Sequence, residues 1–300
     1  MPFLERDPWR FQYFEDVDCP ADVAIPTDDV DAYCLIPTYR WVYNKLLIAE
    51  SQAIACGPHG VTPPSFPVFS KPIYNLRGMG VDSRVLRSLD EYEQFLRPGQ
   101  MWMTLLTGEH VSTDAAVAEG RVCWLRHSVG HPLPGGTFDY WVVEASGRDR
   151  LGRYCTDWLS VHMPQYTGMV NLETIDGRII EVHLRFSDQW LDLYGAGWLQ
   201  AVAGLYARRR WDFADERRAD GYSVVLFGPH GRRYRRPQAD VLARILAEDA
   251  INSVQVTFTE DRAHAQAMPP GGFRLAIVNT RDLAAGLEAR RVLAGVFGLW

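Results

Sequence analysis

The chain has almost no lysine. Of its 31 basic residues only Lys45 and Lys71 are lysine, and the other 29 are arginine. Lysine is a compact point charge on a flexible stem and arginine a planar fork, so positions that need the former resist exchange. Cysteine is also scarce. Cys19, Cys34, Cys56, Cys123 and Cys155 are odd in number, widely spread and without a CxxC pair. That excludes a disulfide framework and a zinc knuckle and fits reduced thiols. No run of 18 apolar residues exists, so no membrane span is expected. The N-terminus, MPFLERDPWRFQYFEDVD, lacks the apolar stretch of a signal peptide. A cytoplasmic location is the expectation. Excess positive charge is missing too: the net charge is −6 and the pI near 5.8, against general nucleic-acid binding. There is no GxSxG and no HExxH, which removes the usual serine-hydrolase and zinc-protease readings.

What is present is a hydrophobic content of 47%, enough for a large core. The pattern predicts an α+β chain. Residues 1–37, aromatic, acidic and proline-punctuated, form an extension of turns and strand fragments. Residues 38–106 form a small subdomain, with a helix over 38–55 and strands at 66–71 and 100–106. Residues 107–211 form a central antiparallel sheet with helices at 148–163 and 190–208. The segment Gly130–Phe138 reads as a loop. Residues 212–300 form a C-terminal α/β lobe. Ser88 with Glu91 makes a capping box.

Phe66–Val81, FPVFSKPIYNLRGMGV, carries the first chemical signal. A buried strand delivers Lys71, and a loop follows that ends in Arg77-Gly78-Met79-Gly80. An ammonium and glycine-rich backbone suit a polyphosphate. Met169–Arg185 carries the second. Glu181, His183 and Arg185 alternate with Ile180, Val182 and Leu184, and Glu173 lies across the Asp176-Gly177 turn. A strict two-residue turn would put the two glutamates on opposite faces. A three-residue loop would put them on one face as diagonal neighbours. A longer loop or a bulge is therefore predicted. Two carboxylates and an arginine on one face suit Mg2+ and phosphate, and an ordinary solvent-facing strand is the plain alternative.

Together these stretches resemble the ATP-grasp superfamily. The residues are Asn44-Lys45, Phe66–Pro72, Arg77–Gly80, Met101–Leu106, Gly108-Glu109 through Asp114, and Glu173 with Glu181–Arg185. The resemblance spans about residues 38–210. It implies a fold in which two subdomains clamp ATP. It also implies a ligase that activates a small carboxylate as an acyl phosphate for attack by an amine or thiol. Lys45 and Lys71 would hold phosphates, with Gly78 and Gly80 closing over them. The backbone near Leu105 and Leu106 would meet adenine, and Glu109 the ribose. Glu173, Glu181 and His183 would hold Mg2+, with Mn2+ an option. Arg185, with Lys71, would act on the transferred phosphoryl group. His183 stands where the family pattern has asparagine, and Met103 where many members have an acidic residue. Arg126, before the His131–Thr137 stretch, is read as an anchor for the substrate carboxylate. A small-molecule kinase and a non-catalytic nucleotide-binding regulator are the alternatives. The expected partners are a small carboxylate and an amine. The short stretch before the first lysine helix is compatible with a homodimer. The basic run Arg232–Arg236 reads as a solvated loop.

Overall fold

Two antiparallel sheets organise the chain in a computed structural model that describes residues 2–76, 78, 80–260 and 268–299. The small sheet contains β1 (Cys56–Pro58), β2 (Val68–Pro72), β3 (Arg84–Leu86) and β4 (Gln100–Thr104), in the order β1-β4-β2-β3. The large sheet contains β5 (His110–Ala118), β6 (Arg121–Leu133), β7 (Thr137–Val143), β8 (Gly168–Ile175), β9 (Arg178–His183), β10 (Gly221–Gly228), β11 (Ile251–Val256) and β12 (Phe273–Thr280). Its order is β11-β12-β10-β7-β6-β5-β8-β9. The α+β class is as expected. The last third, expected as a lobe of its own, instead continues the large sheet: Gly221 to Val224 pair with Val143 to Tyr140. Alternating strands and helices suggest a separate layer, but β10 is apolar enough to be buried on both faces and so joins an existing sheet.

The helices are α1 (Asp29–Leu35), α2 (Lys45–Glu50), α3 (Leu89–Gln94), α4 (Asp149–His162), α5 (Trp198–Arg208), α6 (Ala239–Leu246) and α7 (Leu283–Val296). Among the described residues none is long and apolar enough to cross a membrane. The helix expected over 38–55 is broken. Pro37–Tyr43 is a 3-10 helix, and Asn44 then takes extended backbone and caps α2, its Oδ1 accepting from the Leu46 and Leu47 amides. Lys45 thereby becomes the first residue of a new helix. Likewise 190–208 begins as a 3-10 turn at Leu191–Leu193, and α5 starts only at Trp198. The loop expected from Gly130 is strand as far as Leu133, because β7 pairs with it. The Ser88 cap forms as predicted, with its hydroxyl accepting from the Glu91 amide.

Both faces of the large sheet are covered. On one, α4 sets Trp158 and Leu159 against Val170, Leu172 and Leu184. On the other, Trp124, Trp141, Trp190 and Trp198 form an aromatic core that takes in Phe3 and Phe14 from the N-terminal extension. Burying each such phenyl ring stabilises the docked extension by ~1.5–3 kcal/mol. The extension is thus part of the core and brings α1 to the edge of β9.

One turn is tightly constrained. Gly120, between β5 and β6, has φ +77° and donates its amide to the Tyr166 carbonyl. A Cβ there would stand 2.1 Å from the Pro164 carbonyl oxygen. Gly120→Ala is therefore expected to destabilise the fold by about 2–3 kcal/mol or more, read as a lowered urea midpoint with unchanged slope.

Candidate nucleotide and metal site

The hairpin of β8 and β9 builds the site. Ile175 pairs with Arg178 and Thr174 with Ile179, so the loop is the two-residue Asp176-Gly177 turn, both residues having positive φ. The register then slips. Glu173 pairs with Glu181 and Asn171 with His183, leaving Ile180 as an inserted residue. The predicted bulge is present, in β9 and not as a longer loop. It sets the glutamates directly opposite each other, where a diagonal relation was expected. Without it Glu181 would point to the α4 side.

Each lysine reaches this bulge from the small subdomain. Lys71 on β2 is 2% exposed and donates from Nζ to the carbonyl of Ile180 at 2.8 Å. Lys45, at the start of α2, places Nζ 2.6 Å from Glu181 Oε1. Burial, and Lys45 nearby, lower the Lys71 pKa while Glu181 raises it, for a result of about 8. Burial alone would raise Glu181, but Lys45 and Lys71 keep it below the ordinary carboxylate range.

His183 Nδ1 meets Asp29 Oδ2 at 3.0 Å, and Arg185 donates to the same oxygen at 3.1 Å. Tyr43 donates its hydroxyl to Asp29 Oδ1 at 3.2 Å. Burial opposes the Asp29 charge, yet Arg185 and His183 hold the carboxyl far below its usual range. His183 Nε2 is buried, has no hydrogen-bond partner, and lies 3.8 Å from both Glu173 Oε1 and Glu181 Oε2. Glu173 Oε2 is 3.2 Å from His110 Nε2. Burial would raise Glu173, but His110 and then His183 and Arg185 hold it down. Among the described residues no group of three or more His, Cys, Asp or Glu already forms a metal-holding cluster.

The structure thus brings Lys45, Lys71, Glu173, Glu181, His183 and Arg185 together. Gly78 and Gly80 have positive φ and nothing near an added Cβ, and Asn75 donates to the Gly78 carbonyl. Arg77 and Met79 lie outside the described residues. β4 ends at Thr104, so Leu105 and Leu106 follow the strand, and Leu106 packs beside Met101, Met103 and Ile180. Glu109 is half-exposed and paired through both oxygens with Arg148. Arg126 stands elsewhere. Asp114, Asn171 and His183 follow it across β5, β8 and β9, so about 14 Å separates it from His183 at the usual strand spacing. Its guanidinium is bound to Asp215 at 2.8 Å.

Sequence reasoning missed Asp29, Tyr43 and His110. His110 shares the even-numbered face of β5 with Ser112 and Asp114, a signal that strand alternation could have supplied. Asp29 had none, since its partners are more than 150 residues away in the chain.

No protein-family model and no curated protein matches the chain. Solved structures do. The L-amino acid ligase from Bacillus licheniformis aligns with TM-score 0.62 and 15% identity, over 85% of this chain and 71% of its own. The phosphoribosylamine–glycine ligase from Thermotoga maritima aligns with 0.63 and 14%, over 92% and 83%. The carboxyaminoimidazole ribonucleotide synthase from Aspergillus clavatus, complexed with ATP, aligns with 0.63 and 11%, over 93% and 81%. At these identities the likeness is one of fold.

Asp29 generates a test. A carboxyl with a depressed folded pKa stabilises the fold above its unfolded value near 3.9 and loses that contribution as pH falls. Asp29→Asn leaves Arg185 buried without its counter-charge, so a loss of about 3–5 kcal/mol at pH 7 is expected. Urea titrations should show the gap to wild type narrowing below about pH 4.

Proposed function

The chain has the ATP-grasp fold, and on that premise we propose that it is an ATP-dependent ligase for a small carboxylate and an amine or thiol. The observation that carries this reading is the alternation of Lys45, Glu181, Lys71 and Glu173 around one bulge. In a nucleotide-free protein the cations and carboxylates neutralise one another. A nucleotide with a divalent cation replaces both sets of partners at once: phosphates take the lysines, and the metal takes the glutamates.

The donor set fits a divalent cation in company with phosphate oxygens. Two carboxylates converge on an unpartnered imidazole nitrogen whose other nitrogen is fixed by Asp29. Glu173, Glu181 and His183 would hold it. Hard carboxylate oxygens suit Mg2+, and the imidazole extends the range to Mn2+. When bound, the cation neutralises phosphate charge.

The protein's own groups then do the positioning. Lys71 and Lys45 orient the phosphates, and Arg185, steadied by Asp29, faces the group in transfer. A carboxylate oxygen attacks the γ-phosphorus and ADP leaves. The amine or thiol attacks the acyl carbon of the resulting acyl phosphate, and inorganic phosphate leaves. Gly78 and Gly80 close the loop that keeps water from the acyl phosphate. Leu105 and Leu106 supply backbone groups for adenine, and Glu109, released from Arg148, reaches the ribose.

Two measurements test this. ADP release should require both a carboxylic acid and an amine or thiol, and Lys71→Met or Glu181→Gln should reduce it by at least about a thousandfold with the fold intact by circular dichroism. Near-wild-type turnover in either variant would remove the assignment. Calorimetry gives the second. Lys71 is charged below about pH 8 and neutral above it, so nucleotide affinity should be flat below that pH. Above it, binding must take up a proton, and affinity should fall by up to about tenfold per pH unit.

A further inference from the structure

A cavity of about 440 Å3 lies apart from the lysine–glutamate cluster. It opens where β7 no longer pairs with β6, between that strand edge and the first half of α4. Two polar side chains of β6 line it without full partners. Arg126 is 2% exposed, and its Nε and Nη1 have no hydrogen-bond acceptor, although Nη2 donates to Asp215. His127 is 4% exposed and its Nε2 is also without a partner, while Nδ1 lies 2.8 Å from Thr113 Oγ1.

The tautomer of His127 follows from its neighbours. Burial, then the charges of Arg148 and Arg218, push its pKa down to about 4, so the ring is neutral. Burial raises the Cys155 thiol to about 12, and Thr113 is within hydrogen-bond reach of it. The thiol donates to the Thr113 oxygen, and Thr113 donates to Nδ1. The one ring proton therefore sits on Nε2 and points into the cavity. Beside it α4 begins at Arg148, in left-handed backbone and with no side-chain cap, so its first amides are available to an anion. Buried donors without acceptors are costly, and an acceptor entering this cavity would satisfy several of them together.

We propose that this cavity is a second ligand site that takes a small monocarboxylate, held by Arg126, by His127 Nε2 and by the first turn of α4. Asp149 and Asp157 also line it, and their charge disfavours a multiply charged oxyanion such as phosphate. Arg153 adds an unpaired cation at the rim. The site is independent of the nucleotide reading, because it is removed from His183 and is tested with no nucleotide present.

The probes are acetate, glycine and inorganic phosphate, each titrated into the full chain. Binding is followed by the 15N-edited signal of the His127 ring and by calorimetry. Acetate and glycine should shift the Nε2–H signal saturably, and phosphate should not. Gly152→Ala supplies the control. It seats a methyl 3.5 Å from Nε2, in mid-helix, where alanine is favoured over glycine by ~0.5–1 kcal/mol. The variant should melt no lower than wild type yet bind the carboxylates at least about tenfold more weakly, as loss of one charge-assisted contact requires. Absence of a saturable shift with either carboxylate would overturn the proposal. Unchanged affinity in Gly152→Ala, or binding of phosphate alone, would do the same.

Discussion

Two ammonium groups hold the small sheet to the large one. Lys45 and Lys71 come from different elements of the small subdomain, and both end on β9 within one residue of each other, at Glu181 and Ile180. Removing one partner of a buried ion pair typically costs 3–5 kcal/mol, roughly, because the other charge is left unpaired. The same two contacts are therefore the mechanical joint of the molecule and its strongest electrostatic feature. A ligand that draws the lysines away from β9 loosens the joint. Charge exchange and relative movement of the sheets become one event.

The inserted residue in β9 makes that joint possible. A regular hairpin would send Glu181 towards α4 and leave no site. The bulge turns Glu181 to the face of Glu173 and places the Ile180 carbonyl within reach of Lys71. One backbone irregularity thus sets both the acid pair and the acceptor for the second lysine. His183, two residues on, inherits the corrected parity and can reach Asp29.

Much of this was legible in the sequence. The rarity of lysine singled out Lys45 and Lys71, and strand parity required a longer loop or a bulge before the glutamates could meet. The direct pairing of Glu173 with Glu181 was not legible, because a bulge has no side-chain signature in IleIleGlu. Neither was the break at Asn44. Helix propensity reads through it, while the cap geometry that starts α2 depends on the Lys45 amide meeting the Ile73 carbonyl. Arg126 was read as a group facing the main site. Its strand was right, but its side chain is claimed by Asp215, from the charged connector that the sequence offered as mere linker. Asp29 was invisible for the same reason: its significance lies wholly in long-range partners.

The continuity of the large sheet has a consequence for how the chain assembles. β7 finds its second neighbour only when Gly221–Gly228 is available, roughly eighty residues later, and β12 must then insert between β10 and β11. Such pairings close long loops before they return any contact energy, which slows folding and prolongs the exposure of strand edges. The N-terminal extension waits as well, since Phe3 and Phe14 settle among tryptophans contributed from Trp124 to Trp198. During synthesis the first segment to leave the ribosome is thus among the last to dock. The carboxylate of Asp29 reaches His183 and Arg185 only as the whole molecule closes.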